Sequence, residues 1–349
     1  MKRIAFLFMS MILMAGLILA GCGANQTSSG NGTDKPASSE SKKIVIGVSV
    51  ATSQEAVYKF MEKAMRDNEK KDGVEIKWVS ANNDANKQVA DVENLIAQKV
   101  DAIILHAVNT GTAKNIVKKA EDAKIPVIAM DRLPEDAKVV AYVTADSFKV
   151  GQTQAEFILK QINNKGNVVI LEGEAGNSVA KAITAGNKDA LSKVSDVKIV
   201  ASQPHQAWAR DKALATIENL IAKGEKIDAV LANNSGMAMG AVQALKAKGL
   251  IGNVAVIGSD ADKDASQSIL KGELRADIDK KPYDLGLGAY KIALAVAKKQ
   301  DWKAAVSGLG TVSTQDNGTA GKVDALLTPI KLITKDNVKD MEERWGKLD

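Results

Sequence analysis

Short apolar runs alternate with longer amphipathic ones along most of this chain. Residues 44–50, IVIGVSV, are apolar and β-branched almost throughout, which predicts a strand covered on both faces. Residues 55–71 then place Val57, Phe60, Met61 and Met65 at helical spacing. The alternation goes on with strands at 74–79, 102–105, 126–131 and 139–143, a helix running through Leu95 and another at 112–124. A second series follows. It has helices at 150–161, 180–193, 212–223 and 237–248, and strands at 168–171, 197–200, 229–231 and 254–257. Beyond it come a helix at 285–298, a turn at Asp316-Asn317-Gly318, a strand around 325–332 and a short helix from Lys335. Strands and helices alternating at these lengths predict a doubly wound α/β architecture with parallel sheets.

The two series share an internal repeat. ENLIA, DAIILHAVN and IPVIAMD in the first copy answer to ENLIA, DAVLANN and NVAVIGSD in the second. Glu93 and Glu218, Asp101 and Asp228, and Asp131 and Asp260 stand 125, 127 and 129 residues apart. A nearly constant offset predicts one βαβ unit used twice, each copy ending a buried strand on an aspartate. Open parallel sheets bind ligands outside the carboxyl ends of their strands. Two similar lobes with polar strand ends therefore predict a clamp closing on a ligand. The expected lobes are 44–146 with about 282–309, and 147–281 with about 310–349. Passages near Asp146-Ser147 and Pro282 would act together as a multi-strand hinge.

The chain's beginning alters this picture. Lys2 and Arg3 precede an apolar run to Ala20, and Leu19-Ala20-Gly21-Cys22 has the order of a bacterial lipobox. Residues 1–22 are expected to be a lipoprotein signal, with Cys22 lipid-modified. Residues 23–43, rich in Ser, Gly, Asn and Thr, are expected to be a flexible tether. The protein would then be exported and anchored to the outer face of the bacterial cell membrane. Cys22 is the sole cysteine among 349 residues, so the body is held by packing without disulfides. The formal charge of +5 is spread over mixed helix faces such as KKAEDAK, and aromatics make up only 4%. That pattern fits solvated helices better than a nucleic-acid groove.

No P-loop, GxSxG, HExxH or Cys/His cluster is present, so hydrolytic, metal and nucleotide chemistry lack their usual parts, and no metal or cofactor is expected. His106, at a strand end, reads as a packed neutral histidine, and His205 sits in a polar loop. The remaining candidates are polar residues at strand ends. Asp131-Arg132 joins a carboxylate to a planar set of donors, the mixture a polyol needs because each hydroxyl both donates and accepts; a structural ion pair is the competing reading. Asn109 and Asn234 follow equivalent strands and suit either a ligand or a turn. Trp208, in QPHQAWARD, either stacks on a sugar ring or packs as an ordinary tryptophan. Lys281, before Pro282, either reaches the cleft or stays solvated.

From about Ile44 to Lys298 the chain resembles the type I periplasmic-binding-protein sugar receptors of ABC importers, most closely their D-xylose-binding branch. The stretches that carry the resemblance are SANNDANKQVADVENLI, AMDRL, YVTADSFKVGQTQA, GAVQALKAKGL, GSDAD and DKKP. It implies that Asp131 and Arg132 bind ring hydroxyls, that Trp208 stacks, and that Asn234, Asp260 and Lys281 complete the far wall, with Asn177 at a polar ligand position. Three departures stand out. Gln54, with Tyr58 nearby, occupies the place of an arginine in the first βα loop, and Val179 and Thr184 stand where asparagine and arginine are expected. Each lost arginine removes charge-assisted bonds worth about 1.5–3 kcal/mol, which opens the site to another pentose, a hexose or a small polyol.

The resemblance implies a monomeric, non-enzymatic receptor that captures a monosaccharide and delivers it to an ABC permease. Presentation of the closed form to a chemoreceptor or histidine-kinase ectodomain is the alternative. A transcription repressor of the same fold would need a DNA-binding module where the signal and tether stand.

Overall fold

The computed structural model describes residues 43–54 and 56–349; the signal, Cys22 and nearly all of the tether expected from the sequence lie outside the described residues. The chain opens with β1 (Ile44–Val50), α1 (Ala56–Asp72), β2 (Val74–Ser80), α2 (Ala85–Ala97), β3 (Ala102–Leu105), α3 (Lys114–Asp122), β4 (Val127–Met130) and β5 (Ala141–Ala145). A second series follows as α4 (Ser147–Gln161), β6 (Gly166–Glu172), α5 (Ser178–Leu191), β7 (Val197–Pro204), α6 (Arg210–Ala222), β8 (Ala229–Ala232), α7 (Ser235–Ala247), β9 (Ala255–Ile257), α8 (Lys263–Lys271) and β10 (Ala276–Asp279). The last elements are α9 (Pro282–Ala297), α10 (Trp302–Ala305), β11 (Thr311–Asp316), β12 (Lys322–Thr328), β13 (Lys331–Thr334) and α11 (Glu342–Trp345).

These elements build two sheets, ordered β11-β12-β5-β4-β3-β1-β2 and β13-β10-β9-β8-β6-β7. Each is parallel except at one edge, where β11 and β13 run antiparallel to their neighbours. β3, β4 and β8 are buried at every position because helices cover both faces of each sheet. In the first lobe, α1 and α9 pack one core with Met65, Tyr290 and Ile292, while α2 and α3 pack another with Leu95 and Val117. In the second, α4 and α5 cover one face, and α6, α7 and α8 cover the other. The internal repeat is the pair α2-β3-α3-β4 and α6-β8-α7-β9.

The lobe boundary departs from expectation at the C-terminal end. The sequence pattern places residues from about 310 onward in the second lobe, yet β12 lies parallel beside β5, from Ala325 opposite Tyr142 to Thr328 opposite Ala145. β11 then closes that edge as a hairpin. The apolar stretch expected as one strand around 325–332 is instead two strands in different sheets. Pro329, which has no N–H to give a ladder, interrupts it. The lobes are therefore joined at three places: Asp146, Lys280-Lys281 and Pro329-Ile330.

Candidate functional site

The two repeat aspartates leave their strands in the same way. Asp131, after β4, donates its N–H to Val143 O at 2.6 Å; Asp260, after β9, donates its N–H to Ile278 O at 2.7 Å. Both have positive φ, 61° at Asp131 and 121° at Asp260, and Ala261 follows at 52°. Such backbone costs on the order of 1–3 kcal/mol per residue and persists only where the surroundings over-determine it. At Asp131 the surroundings include the Tyr142 and Thr144 hydroxyls, which donate to its carbonyl at 2.7 and 3.3 Å. The bends turn both carboxylates out of their sheets and into the cleft.

Asp131 and Asp260 share a cavity with Lys280, walled by Val57, Met61, Pro282 and Leu285. An adjoining cavity adds Tyr58, Arg132, Val179, Trp208 and Asn234. Lys280 Nζ stands 2.6 Å from Asp260 Oδ1, with the two side chains 15% and 13% exposed. Arg132, which lines the adjoining cavity, has its Nη1 bound to the carbonyls of Ala107 and Val108 at 3.1 and 3.3 Å. Trp208 rests its six-membered ring against the backbone of Gly173, and its Nε1 is buried without a hydrogen-bond partner among the described residues. The lobes meet at the cleft's mouth, where Thr110 donates to Gly176 O at 3.0 Å and Lys181 pairs with Glu135 at 3.0 Å.

The electrostatics set two carboxylates against two cations. Burial acts to raise the Asp131 carboxyl, but the His106 hydrogen bond and the charges of Lys280 and Arg132 hold it well below the usual carboxylate range. At Asp260 burial wins and raises the carboxyl; Lys280 offsets part of this, and Asp131 and Asp279 add to it. Burial would lower the Lys280 ammonium, yet Asp260 and Asp131 hold it above its ordinary value. His106, fully buried, is kept neutral by desolvation and by Arg132 against the pull of Asp131. Its Nε2 lies 3.3 Å from Asp131 Oδ2 and its ring meets Tyr58 edge to face at 4.9 Å. With Nε2–H donating to Asp131, the buried Nδ1 has no partner among the described residues. The cleft thus presents donors and acceptors in alternation and near-zero net charge, suited to a neutral, hydroxyl-rich solute.

Of the residues singled out from the sequence, Asp131, Arg132, Asp260, Trp208, Asn234 and Tyr58 come together here. Lys281 does not. It lines a separate pocket with Phe60, Lys63, Tyr283 and Arg344, where the chain turns through left-handed backbone at Lys281 (φ 48°) before Pro282; its neighbour Lys280 takes the cleft. Asn177 caps α5 and Asn109 holds a turn. Asn177 Oδ1 accepts from the N–H groups of Val179 and Ala180, and Asn109 Oδ1 from that of Thr112. Neither lines the two cleft cavities. Asn234 caps α7 through Met237 N–H at 2.8 Å while also facing the cleft. Gln54 is exposed, its N–H turned to Thr52 Oγ1. Val179 supplies apolar wall, and Thr184 is buried beneath it, accepting from Asn233. Lys280 was not picked out by sequence reasoning; its signal was the doubled KK before Pro282. His106 is the packed, buried histidine that its strand end suggested, and the bond to Asp131 is what the sequence did not show.

Two doubly wound lobes meeting across a polar, charge-balanced cleft define a solute-binding clamp. Residues 46–301 match the family model described as a periplasmic binding protein domain. The chain is 35% identical over 272 residues to the D-xylose-binding periplasmic protein of Escherichia coli, covering 77% of this chain and 80% of that protein. It is 34% identical over 254 residues to the ribose import binding protein of Bacillus subtilis, covering 72% and 81%. An ABC transporter solute-binding protein from Bacillus halodurans with bound myo-inositol superposes with a TM-score of 0.76 at 30% identity, covering 86% of this chain and 98% of that one. The chain belongs to the periplasmic binding protein family, with the type I fold, and is a receptor of that family rather than an enzyme.

Proposed function

We propose that this protein is the lipid-anchored sugar receptor of an ABC importer, closing on one neutral monosaccharide and handing it to the permease. The observation that carries the reading is the Asp131–Lys280–Asp260 arrangement, in which each lobe contributes one strand-end carboxylate and a hinge lysine stands by both. Ring hydroxyls are bound well by such a mixture, because each donates to a carboxylate while accepting from an ammonium or guanidinium. Trp208 offers an aromatic wall for the apolar face of a sugar ring. Relatives named for xylose and ribose, and a structural neighbour holding myo-inositol, support a ligand of this size and polarity. Xylose or a related pentose or hexose is the proposed ligand. Val179 in the wall and the exposed Gln54 favour a contact set different from that of the xylose receptors. Cys22 is proposed as the site of the lipid anchor, and the receptor as a monomer.

The test is a thermal-shift screen of pentoses, hexoses and cyclic polyols on residues 44–349, followed by calorimetry on the best. A ligand bound only by the native state raises apparent stability by mass action. A panel including D-xylose, D-ribose, D-glucose and myo-inositol with no shift at millimolar concentration overturns the reading. Cys22→Ser is expected to release the protein from the membrane fraction; retention there refutes the anchor.

A further inference from the structure

α11 contributes no side chain to the cleft, yet two of its residues grip the backbone behind it. Trp345 Nε1 donates to the carbonyl of Ala261 at 2.8 Å. Arg344 Nη2 lies 2.7 Å from Asp279 Oδ1, and its Nη1 reaches the carbonyl of Asp260 at 3.5 Å. The corner so held, Asp260-Ala261, has two consecutive non-glycine residues at positive φ. Its N–H groups are fixed as well, on Ile278 O and on the buried carboxylate of Asp277 at 3.1 Å. Asp279 also accepts from the Lys281 N–H at 2.8 Å, fixing the chain on both sides of Lys280. One strand end carries Asp260 and the next carries Lys280, and consecutive residues of α11 fasten both.

We propose that Arg344 and Trp345 are positioning residues of the ligand site, keeping the Asp260–Lys280 pair in place through the strand ends that carry it. The proposal rests on the reading of Asp260 as a ligand-binding residue. The fastening is completed from the opposite lobe. The Trp345 ring sits edge to face on Phe60 of α1 at 5.0 Å, and the Arg344 guanidinium lies 5.7 Å from the same ring. A well-packed ion pair loses directionality when its backbone supports relax, so a change at α11 reaches the cleft without touching the sugar.

Trp345→Phe keeps the ring on Phe60 and removes the N–H; Arg344→Met keeps the side-chain length and removes the charge; Arg344→Lys returns it. In the full chain, amide exchange at Asp260 and Ala261 is expected to quicken about tenfold in the first two variants, with β1, β3, β6 and β8 unchanged. Affinity for whichever of D-xylose, D-ribose, D-glucose and myo-inositol binds the wild type tightest is expected to fall about tenfold in parallel, with part of the loss recovered in Arg344→Lys. Wild-type exchange and affinity in both variants overturn the proposal. Quickened exchange with unchanged affinity also overturns it, reducing the pair to a structural clamp. Unchanged affinity in Asp260→Asn strikes instead at the reading of Asp260.

Discussion

Lys280 Nζ and Asp260 Oδ1 lie 2.6 Å apart where neither side chain is more than 15% exposed, so the lysine of the cleft is held by one of the two carboxylates that line it. A buried pair of this kind gains less in stability than its geometry suggests, because both charges have lost water. Its worth lies in presenting a fixed acceptor and a fixed donor to a solute.

Replacing either member follows from that. Asp260→Asn keeps the shape and leaves Lys280 less well compensated. It is expected to weaken binding of the screened sugar by roughly 10–150-fold, the equivalent of one charge-assisted hydrogen bond. Lys280→Met is expected to lose affinity to a similar degree while Lys281→Met does not. Isothermal titration of the three variants decides the matter, and equal effects at 280 and 281 refute the placement.

Asp131 sets a pH dependence of definite sign. Its carboxyl is held below its ordinary value of 3.8 in the folded protein, so the stability it contributes is fully present above that pH and disappears as pH falls toward the folded value. Thermal melts of wild type and Asp131→Asn between pH 3 and 7 are expected to differ most above about pH 4, with the gap narrowing progressively below it. A gap that widens on acidification contradicts the assignment.

Asp277 has the opposite sign. It is wholly buried, and desolvation raises its carboxyl well above 3.8 against the bonds from Ser235 and Ala261. The folded protein therefore loses stability as pH rises from 3.8 through the folded value. In Asp277→Asn the amide oxygen still accepts from Ala261 and the amide nitrogen can donate to Ser235, whose hydroxyl has the Ser259 carbonyl at 3.1 Å. Urea denaturation at pH 7 is expected to show the variant more stable, with the advantage vanishing near pH 3.8. A less stable variant at neutral pH disproves this account.

Gly173 controls Trp208 by what it lacks. A Cβ there would overlap the indole's six-membered ring, so Gly173→Ala is expected to push Trp208 off its seat. Overpacking of this sort costs about 1–3 kcal/mol. Because Trp208 is a cleft wall, the loss is expected mainly in sugar affinity, by about tenfold or more. Unchanged affinity with a lowered melting temperature would show the tryptophan to be packing alone.

The strand-end aspartates were legible in the sequence because the repeat carries them at matching positions, and burial on both faces leaves a strong apolar signature in β3, β4, β8 and β9. Lys280 was not, since a doubled lysine before proline carries no sign of which residue turns inward; that depends on where β10 stops. Asn177 and Asn109 looked like ligand groups because asparagine serves helix caps, turns and solutes by the same acceptor. The lobe assignment of β11 and β12 failed for a different reason. Nothing local tells a strand which sheet it joins, and here the partner of Ala325 is Tyr142, far back in the chain. α8 went unseen because Lys263–Lys271 offers few apolar positions beyond Ala265 and Ile269.

The placement of β12 beside β5 fixes an order of events in the protein's making. A chain emerging from its amino end delivers β1 to β5 early, but their sheet keeps a bare edge at β5 until residues 322–328 arrive. Bare edges recruit other strands, and the piece that shields this one comes among the final 28 residues of the 349. The second sheet waits as long, since β13 over residues 331–334 forms its edge beside β10, so both lobes take their last strand from the same closing stretch of the chain.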